Sequence, residues 1–416
     1  MLKQLLRNKA LLTFMLGHFT VDMFGGLLPI LYPFIAAAFH LSLGDVGLIA
    51  LCYTAASSLS QPLFGFVADR YGSRYLAPAS LVWAAVMFGL VGYSPNTPML
   101  AFLAAMAGLG SGAYHPQGAA NASAVTGDIQ KNTAMSFYTV GGTSGYALGP
   151  ILGAIVFGLL GRHGSIILAP FGVFSAFLVL RSFKRLGLGL PEAHLEARKQ
   201  QRQIRWRPLV PILSVSMLRN LVMLSVTTFV PLWFKDLGYS AAFYGVLTSL
   251  IIVGSAVGAI IGGFLADRFG QRQVLIACLA LSVPALIVFL LNPGPGALVL
   301  GPIFGMLGEG PVSITLVMAQ RLLPGRVGMA SGFVLGLGFV AAGIGAPITG
   351  VLADRIGPPN ALMIVSTMMF VAIIAAFLIP REALDVRGTP ALVVAEGASE
   401  EANLGSAMTS STSGRG

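Results

Sequence analysis

Twelve apolar runs, each 19 to 29 residues long, take up most of this chain: residues 10–37, 45–67, 76–94, 98–124, 132–160 and 165–183, then 208–234, 242–266, 273–291, 297–320, 329–352 and 360–380. About 20 apolar residues in a helix cross the hydrocarbon of a bilayer, and a helix satisfies its own backbone there without a neighbouring strand. The runs predict an all-α integral membrane protein of twelve spans, in two pseudo-symmetric six-helix bundles. Charge agrees: only 10% of the 416 residues are Asp, Glu, Lys or Arg, against about 25% in soluble domains, which excludes a soluble enzyme. The 52 glycines suit helices that pack closely and slide. Cys52 and Cys278 both fall inside apolar runs, so no disulfide framework or zinc site is expected from them.

Between the two sets of runs, residues 184–207 are dense in charge. The expected organisation is a bundle over 1–183, a cytoplasmic linker over 184–207, a second bundle over 208–380 and a disordered cytoplasmic tail over 381–416, a stretch poor in aromatics. Twenty-one of the 25 Lys and Arg residues fall on the N-terminus, the even-numbered loops and the tail; three (Arg162, Lys235, Arg355) fall on odd-numbered loops, and Arg219 lies inside a span. That asymmetry puts both termini in the cytoplasm of a multi-pass protein, in the cytoplasmic membrane if the cell is bacterial. The net charge of +10 resides in these loops and calls for no nucleic acid. Lys3, Arg7 and Lys9 precede the first run as in a signal peptide, yet that run is long and holds His18 and Asp22. It reads as a retained first helix.

The halves repeat. Gly-Phe-Val-Ala-Asp-Arg-Tyr-Gly at 65–72 returns as Gly-Phe-Leu-Ala-Asp-Arg-Phe-Gly at 263–270, a shift of 198 residues, and the same shift lays Gly110, Ser111 and Gly112 on Gly308, Glu309 and Gly310. A third copy, Gly-Val-Leu-Ala-Asp-Arg-Ile-Gly at 350–357, falls on the external side after the eleventh run and reads as a helix-end turn.

Three formally charged residues lie well inside the spans: Asp22, Arg219 and Glu309, with His18 and His115 as further titratable groups. Each charge at a helix centre costs about 2.5–3.5 kcal/mol against lipid, so they must face one another or water. They sit on runs 1, 4, 7 and 10, the first helices of four three-helix repeats, and sites of repeat-built transporters lie near the midplane. Arg219 offers a planar set of donors for a carboxylate, phosphate or phosphonate, or it is a structural partner of Asp22 or Glu309 across the halves. Asp22 is the first choice of proton carrier and Glu309 the second; His18, one turn before Asp22, shares its face. His115 binds substrate, relays protons or simply packs. No single helix carries a metal-ligand spacing such as HExxH, so no metal is expected.

The loop pattern Gly-x-x-Ala-Asp-Arg-x-Gly, at equivalent positions of a duplicated twelve-span chain, resembles the major facilitator superfamily over residues 10–380. Residues 18–33 (HFTVDMFGGLLPILYP), 41–51 (LSLGDVGLIAL), 110–118 (GSGAYHPQG) and 141–150 (GGTSGYALGP) resemble its fosmidomycin-resistance branch. That branch often has an acidic residue after the His-Pro pair and a basic one soon after; here the positions are Gln117 and Asn121. The resemblance implies a cavity lined by helices 1, 4, 7 and 10, with Tyr114, His115, Gln117 and Asn121 beside Arg219 as substrate contacts. It also implies that Asp69, Arg70 and Arg74, with their copies Asp267, Arg268 and Arg272, latch one conformation from the cytoplasmic side. Gly145, Gly149, Pro150 and Gly153 of the fifth run resemble a pattern of proton-exchanging exporters; fourfold-spaced glycines also serve plain packing.

The expectation is a proton-coupled exporter of a small, anionic, phosphonate-like compound, working by alternating access as a monomer with no cofactor. A proton-coupled importer of organic anions stays open, as does a non-transporting sensor or scaffold. A membrane enzyme is not expected, since no nucleophile and base set is visible.

Overall fold

The computed structural model describes residues 8–125, 131–186, 206–322 and 327–379. Among them are thirteen α-helices and no strand: α1 (Lys9–Phe39), α2 (Leu43–Tyr71), α3 (Leu76–Val91), α4 (Thr97–Ala124), α5 (Lys131–Leu160), α6 (Ala169–Leu186), α7 (Trp206–Asp236), α8 (Ala241–Phe269), α9 (Gln271–Leu291), α10 (Ala297–Glu309), α11 (Pro311–Leu322), α12 (Val327–Ile356) and α13 (Pro358–Phe377). A 3₁₀ segment, Gly161–Leu168, joins α5 to α6. Residues 187–205 of the expected linker, and the expected tail, lie outside the described residues; the linker's first three residues end α6 and its last two start α7.

Nine segments of the described chain are long and apolar enough to cross a membrane, and one of them, Tyr138–Leu186, contains two helices. The 16-residue α3 and α4, which carries His115, Gln117 and Asn121, complete the twelve passes. The tenth run is not one helix. It stops at Glu309 and resumes at Pro311, because Pro311 brings no N–H and its ring crowds the preceding turn. α10 and α11 are therefore two parts of one pass.

The repeated octapeptide is a helix terminator. In all three copies its last residue, Gly72, Gly270 or Gly357, has a positive φ of 84°, 98° or 81°. Its amide donates to the carbonyl of the motif's own alanine, Ala68, Ala266 or Ala353, at 2.8–2.9 Å. A left-handed turn of this kind suits glycine because it has no Cβ to clash.

Glycine also sets how closely helices approach. A Cβ at Gly145 would strike the Phe19 carbonyl, one at Gly149 would lie 2.8 Å from the Met23 carbonyl, and one at Gly153 would lie 3.1 Å from Leu27. α5 thus lies flush on α1 along the fourfold-spaced glycines. Two seams join the halves toward the end of the bundle opposite Lys9 and Phe377, hereafter the far end. In one, Gly47 of α2 admits the Ala346–Pro347 backbone of α12; in the other, Gly245 of α8 admits the Pro150 carbonyl of α5. Gly47 and Gly245 are 198 residues apart, so the seams are one contact made twice. Ser249 Oγ adds a 2.7 Å bond to the Ala147 carbonyl, and Lys235 Nζ reaches the Pro33 carbonyl at 2.8 Å. Toward the near end, α2 leaves Leu59, Leu63 and Phe66 at least 60% uncovered by protein.

Gly145→Leu should lower thermal stability in detergent by the equivalent of about 1–3 kcal/mol of overpacking. Gly336→Ala, where a Cβ meets nothing within 4 Å, should leave it unchanged.

Candidate functional site

His18 and Asp22 lie one turn apart on α1, and their side chains meet, Nε2 to Oδ2 at 3.2 Å. Across from them α4 brings His115, whose Nε2 is 3.4 Å from Asp22 Oδ1 and 3.3 Å from Ser111 Oγ. The two imidazoles stand perpendicular with centroids 5.1 Å apart, and His18 also stacks on Tyr138 of α5 at 4.2 Å. Space for the pair comes from Gly142: a Cβ there would run into both Asp22 Oδ2 and His18 Nε2.

The hydrogen bonds constrain the protons. His18 Nδ1 is 2.8 Å from the Tyr138 carbonyl, which only accepts, so Nδ1 carries hydrogen. Nε2 then faces a carboxylate oxygen, and two acceptors do not sit together at 3.2 Å. One further proton belongs between them, held as imidazolium with carboxylate or as imidazole with carboxylic acid. Asp22 and His115 keep about a quarter of their side-chain surface uncovered, 24% and 25%. Ligand-type atoms of His18, Asp22 and His115 lie within 4.8 Å of one another. They come from two helices, so no single-helix spacing reveals them, and all three are engaged in this network.

The second cluster is in the other half. Arg219 of α7 has no exposed surface, and its Nη1 bonds to Glu309 Oε2 at the end of α10. Its Nη2 donates to Asn220 Oδ1 at 2.9 Å, while Nε is buried without a partner. The pairing is therefore within the C-terminal half, not across the halves and not with Asp22. Glu309 keeps 22% of its side-chain surface uncovered, because the Gly310–Pro311 interruption ends α10 there. The Tyr146 ring of α5 comes within 3.7 Å of where a Cβ at Gly25 of α1 would sit.

Tyr114, Gln117 and Asn121 are turned into the N-terminal half. Tyr114 is fully buried and its hydroxyl donates to the Phe14 carbonyl at 2.8 Å. Gln117 bonds the carbonyl of Ala113 on its own helix, and Asn121 bonds Ser73 Oγ at 2.7 Å. Tyr114 and Asn121 thus tie α4 to neighbouring segments, while Gln117 Oε1 is buried without a hydrogen-bond partner.

Of the expected cytoplasmic latch, the side chains of Asp69 and Asp267 lie outside the described residues. Arg70 and Arg268 rest on the rings of their neighbours Tyr71 and Phe269, and Arg74 keeps an interaction of its own. Arg272 Nη2 donates to the Phe377 carbonyl at 2.6 Å, closing the C-terminus of α13 within its own half. Asp354, in the third copy of the octapeptide, does more than end a helix. Its carboxylate accepts from the amides of Leu43 and Gly44 at 2.7 and 2.9 Å, across the halves. The signal for it was that third copy.

With this arrangement of paired halves in place, the profile of the Major Facilitator Superfamily matches residues 14–244 and 212–398. The chain belongs to that superfamily. It is 27% identical over 358 residues to the fosmidomycin resistance protein of Escherichia coli (strain K12), covering 82% of this chain and 85% of that one. It is also 27% identical to the uncharacterised MFS-type transporter YfnC of Bacillus subtilis (strain 168), over 88% of this chain and 91% of that one. Among solved structures it superposes on a bacterial homologue of the human lysosomal transporter Spinster, in an inward-facing, unoccupied conformation, with a TM-score of 0.79 at 14% identity, covering 91% of this chain and 98% of that one. As a superfamily member it is a multi-pass membrane transporter of small molecules, and its relatives are transporters, not enzymes.

Breaking a buried ion pair by removing one partner costs about 3–5 kcal/mol. Glu309→Gln, which strands the Arg219 guanidinium, should lower the melting temperature of the purified transporter. The double variant Arg219→Met/Glu309→Leu should recover most of the loss, since it strands no charge.

Proposed function

We propose that this transporter exports a small anionic compound of phosphonate or carboxylate type in exchange for protons, by alternating access between its two bundles. The observation that carries the reading is the proton demanded between His18 Nε2 and Asp22 Oδ2, since Tyr138 already fixes the hydrogen on Nδ1. A site that holds a single proton between two acceptors, with an uncovered edge, is suited to load and unload it. Arg219, which has no exposed surface, supplies an ionised donor set well inside the described spans that matches a planar anion. Relatives named for resistance support the outward direction.

In this cycle the bundles of 1–183 and 208–380 are the moving bodies, the 184–207 segment tethers them, and both termini lie in the cytoplasm, which makes the far end external. The glycine seams close that end, and in this cycle the conformer is the inward-facing one. Substrate enters and displaces Glu309 from Arg219. After reorientation a proton from outside loads Asp22 and His18, Glu309 returns to Arg219, and the substrate leaves. The protonated carrier turns inward and unloads. One charge crossing 100 mV supplies about 2.3 kcal/mol. Asp69, Arg70, Arg74 and the Asp267, Arg268 and Arg272 set hold the opposite, cytoplasm-closed state. The unit is a monomer in the cytoplasmic membrane.

A second reading rests on the Arg219–Glu309 pair. An anion that takes Arg219 leaves Glu309 without its counter-charge, which favours a proton on Glu309, and anion and proton then travel together as in an importer. The sign of the coupled proton flux separates the two.

In proteoliposomes carrying a phosphonate probe and an imposed pH gradient, wild type should drive probe and protons in opposite directions. Asp22→Asn should cut gradient-driven flux at least about tenfold while leaving exchange of probe for probe. Full gradient-driven flux in both Asp22→Asn and Glu309→Gln would remove the proposed proton route.

A further inference from the structure

The first turn of every helix leaves amide donors without intrahelical partners. In α2 some are met locally: Ser42 Oγ accepts from Asp45 N at 3.1 Å, and Asp45 Oδ2 accepts in return from Ser42 N at 3.0 Å. That reciprocal box leaves the amides of Leu43 and Gly44. Both go to Asp354, one to each carboxylate oxygen, at 2.7 and 2.9 Å. The carboxylate also meets the positive end of the α2 dipole.

We infer that Asp354 is the latch of the external mouth: a carboxylate of the C-terminal half that fastens the start of α2 while that mouth is shut and releases it when the α2–α12 seam parts. Asp354 acts through α2 and positions the carrier without touching substrate. The bond lies in the seam itself, where a Cβ at Gly350 would strike the Leu43 carbonyl and one at Gly44 would lie 2.9 Å from Val351, so parting the seam would break it. Asp354 is exposed, so water replaces it on the freed amides as the seam opens and the latch stays breakable. The matching seam has no such device. Ser240 caps α8 as Ser42 caps α2, with Oγ 3.4 Å from Phe243 N, but residues 154–160 at the end of α5 carry no ionisable side chain, and Gly158 simply faces Ala241. One seam is latched by a carboxylate, while the other is held by packing and by the neutral Ser249–Ala147 hydrogen bond.

This inference rests on the alternating-access reading, and the test separates the two. Spin labels on Pro95→Cys and Asn292→Cys, external loop positions of opposite halves, report the mouth opening by pulsed electron paramagnetic resonance. The full chain is used in nanodiscs, with Cys52 and Cys278 replaced by Ser. Asp354→Asn should raise the long-distance population about three- to tenfold, the effect of one charge at a helix terminus. Asp354→Glu should restore it. Leu43→Pro, which removes one donor at a first helical position that tolerates proline, should shift the balance the same way with Asp354 intact. A two-distance wild type whose balance ignores Asp354→Asn and Leu43→Pro overturns the latch alone. A wild type held at one distance at every pH overturns alternating access and the latch with it.

Discussion

An ionised side chain inside a hydrocarbon slab must find a counter-charge or water, and that requirement decides which helices of this transporter are neighbours. Arg219 has no exposed surface and can be tolerated there only because α10 ends at Glu309 beside it. Asp22 is tolerated because α4 delivers His115 and α1 itself delivers His18. The Asp22 arrangement also needs backbones closer than ordinary side chains allow. Gly142 leaves the room in which Asp22 and His18 meet, and the glycines of α5 let that helix lie on α1. The abundance of glycine and the scarcity of charge are two sides of one solution.

The duplicated backbone carries unequal chemistry. Shifting by 198 residues lays Asp22 on Asn220, Ser111 on Glu309 and His18 on Ser216. Asn220 still faces the charged centre, bonding Arg219, and Ser111 still faces its own, beside His115. The carboxylate has moved from the first helix of one half to the fourth of the other, and the cations differ in kind: titratable imidazoles in one half, a permanently charged guanidinium in the other. One half can therefore take up and release a proton, while the other can hold a fixed positive charge for an anion.

Legibility followed the range of each interaction. The twelve passes came from run length, the duplication from a repeated octapeptide, and the His18–Asp22 pair from fourfold spacing on one helix. The partner of Arg219 is 90 residues away, and nothing local distinguishes Glu309 from Asp22 as that partner. The proton demand at His18 arises from a backbone carbonyl, Tyr138, which has no residue-type signature at all. Tyr114, Gln117 and Asn121 stand in a segment whose pattern resembles a binding motif, yet whether a polar side chain on α4 faces a chamber or a neighbouring helix depends on rotation about the helix axis, and glycine-rich sequence leaves that rotation undetermined.

The same physics separates bonds a carrier keeps from bonds it must break. A charge pair buried as Arg219–Glu309 is too expensive to open to nothing, so it changes only when another anion or a proton takes the vacated place, which makes it a sensor of occupancy. A carboxylate at an exposed helix end is the reverse: water stands ready to replace it, so the Asp354 contact costs little to break and biases the balance of states without locking it. Placing the strong, ligand-dependent contact at the centre and the weak, water-replaceable one at the rim lets binding energy govern the transition. If the rim contact were the strong one, the mouth would stay shut whatever the centre held.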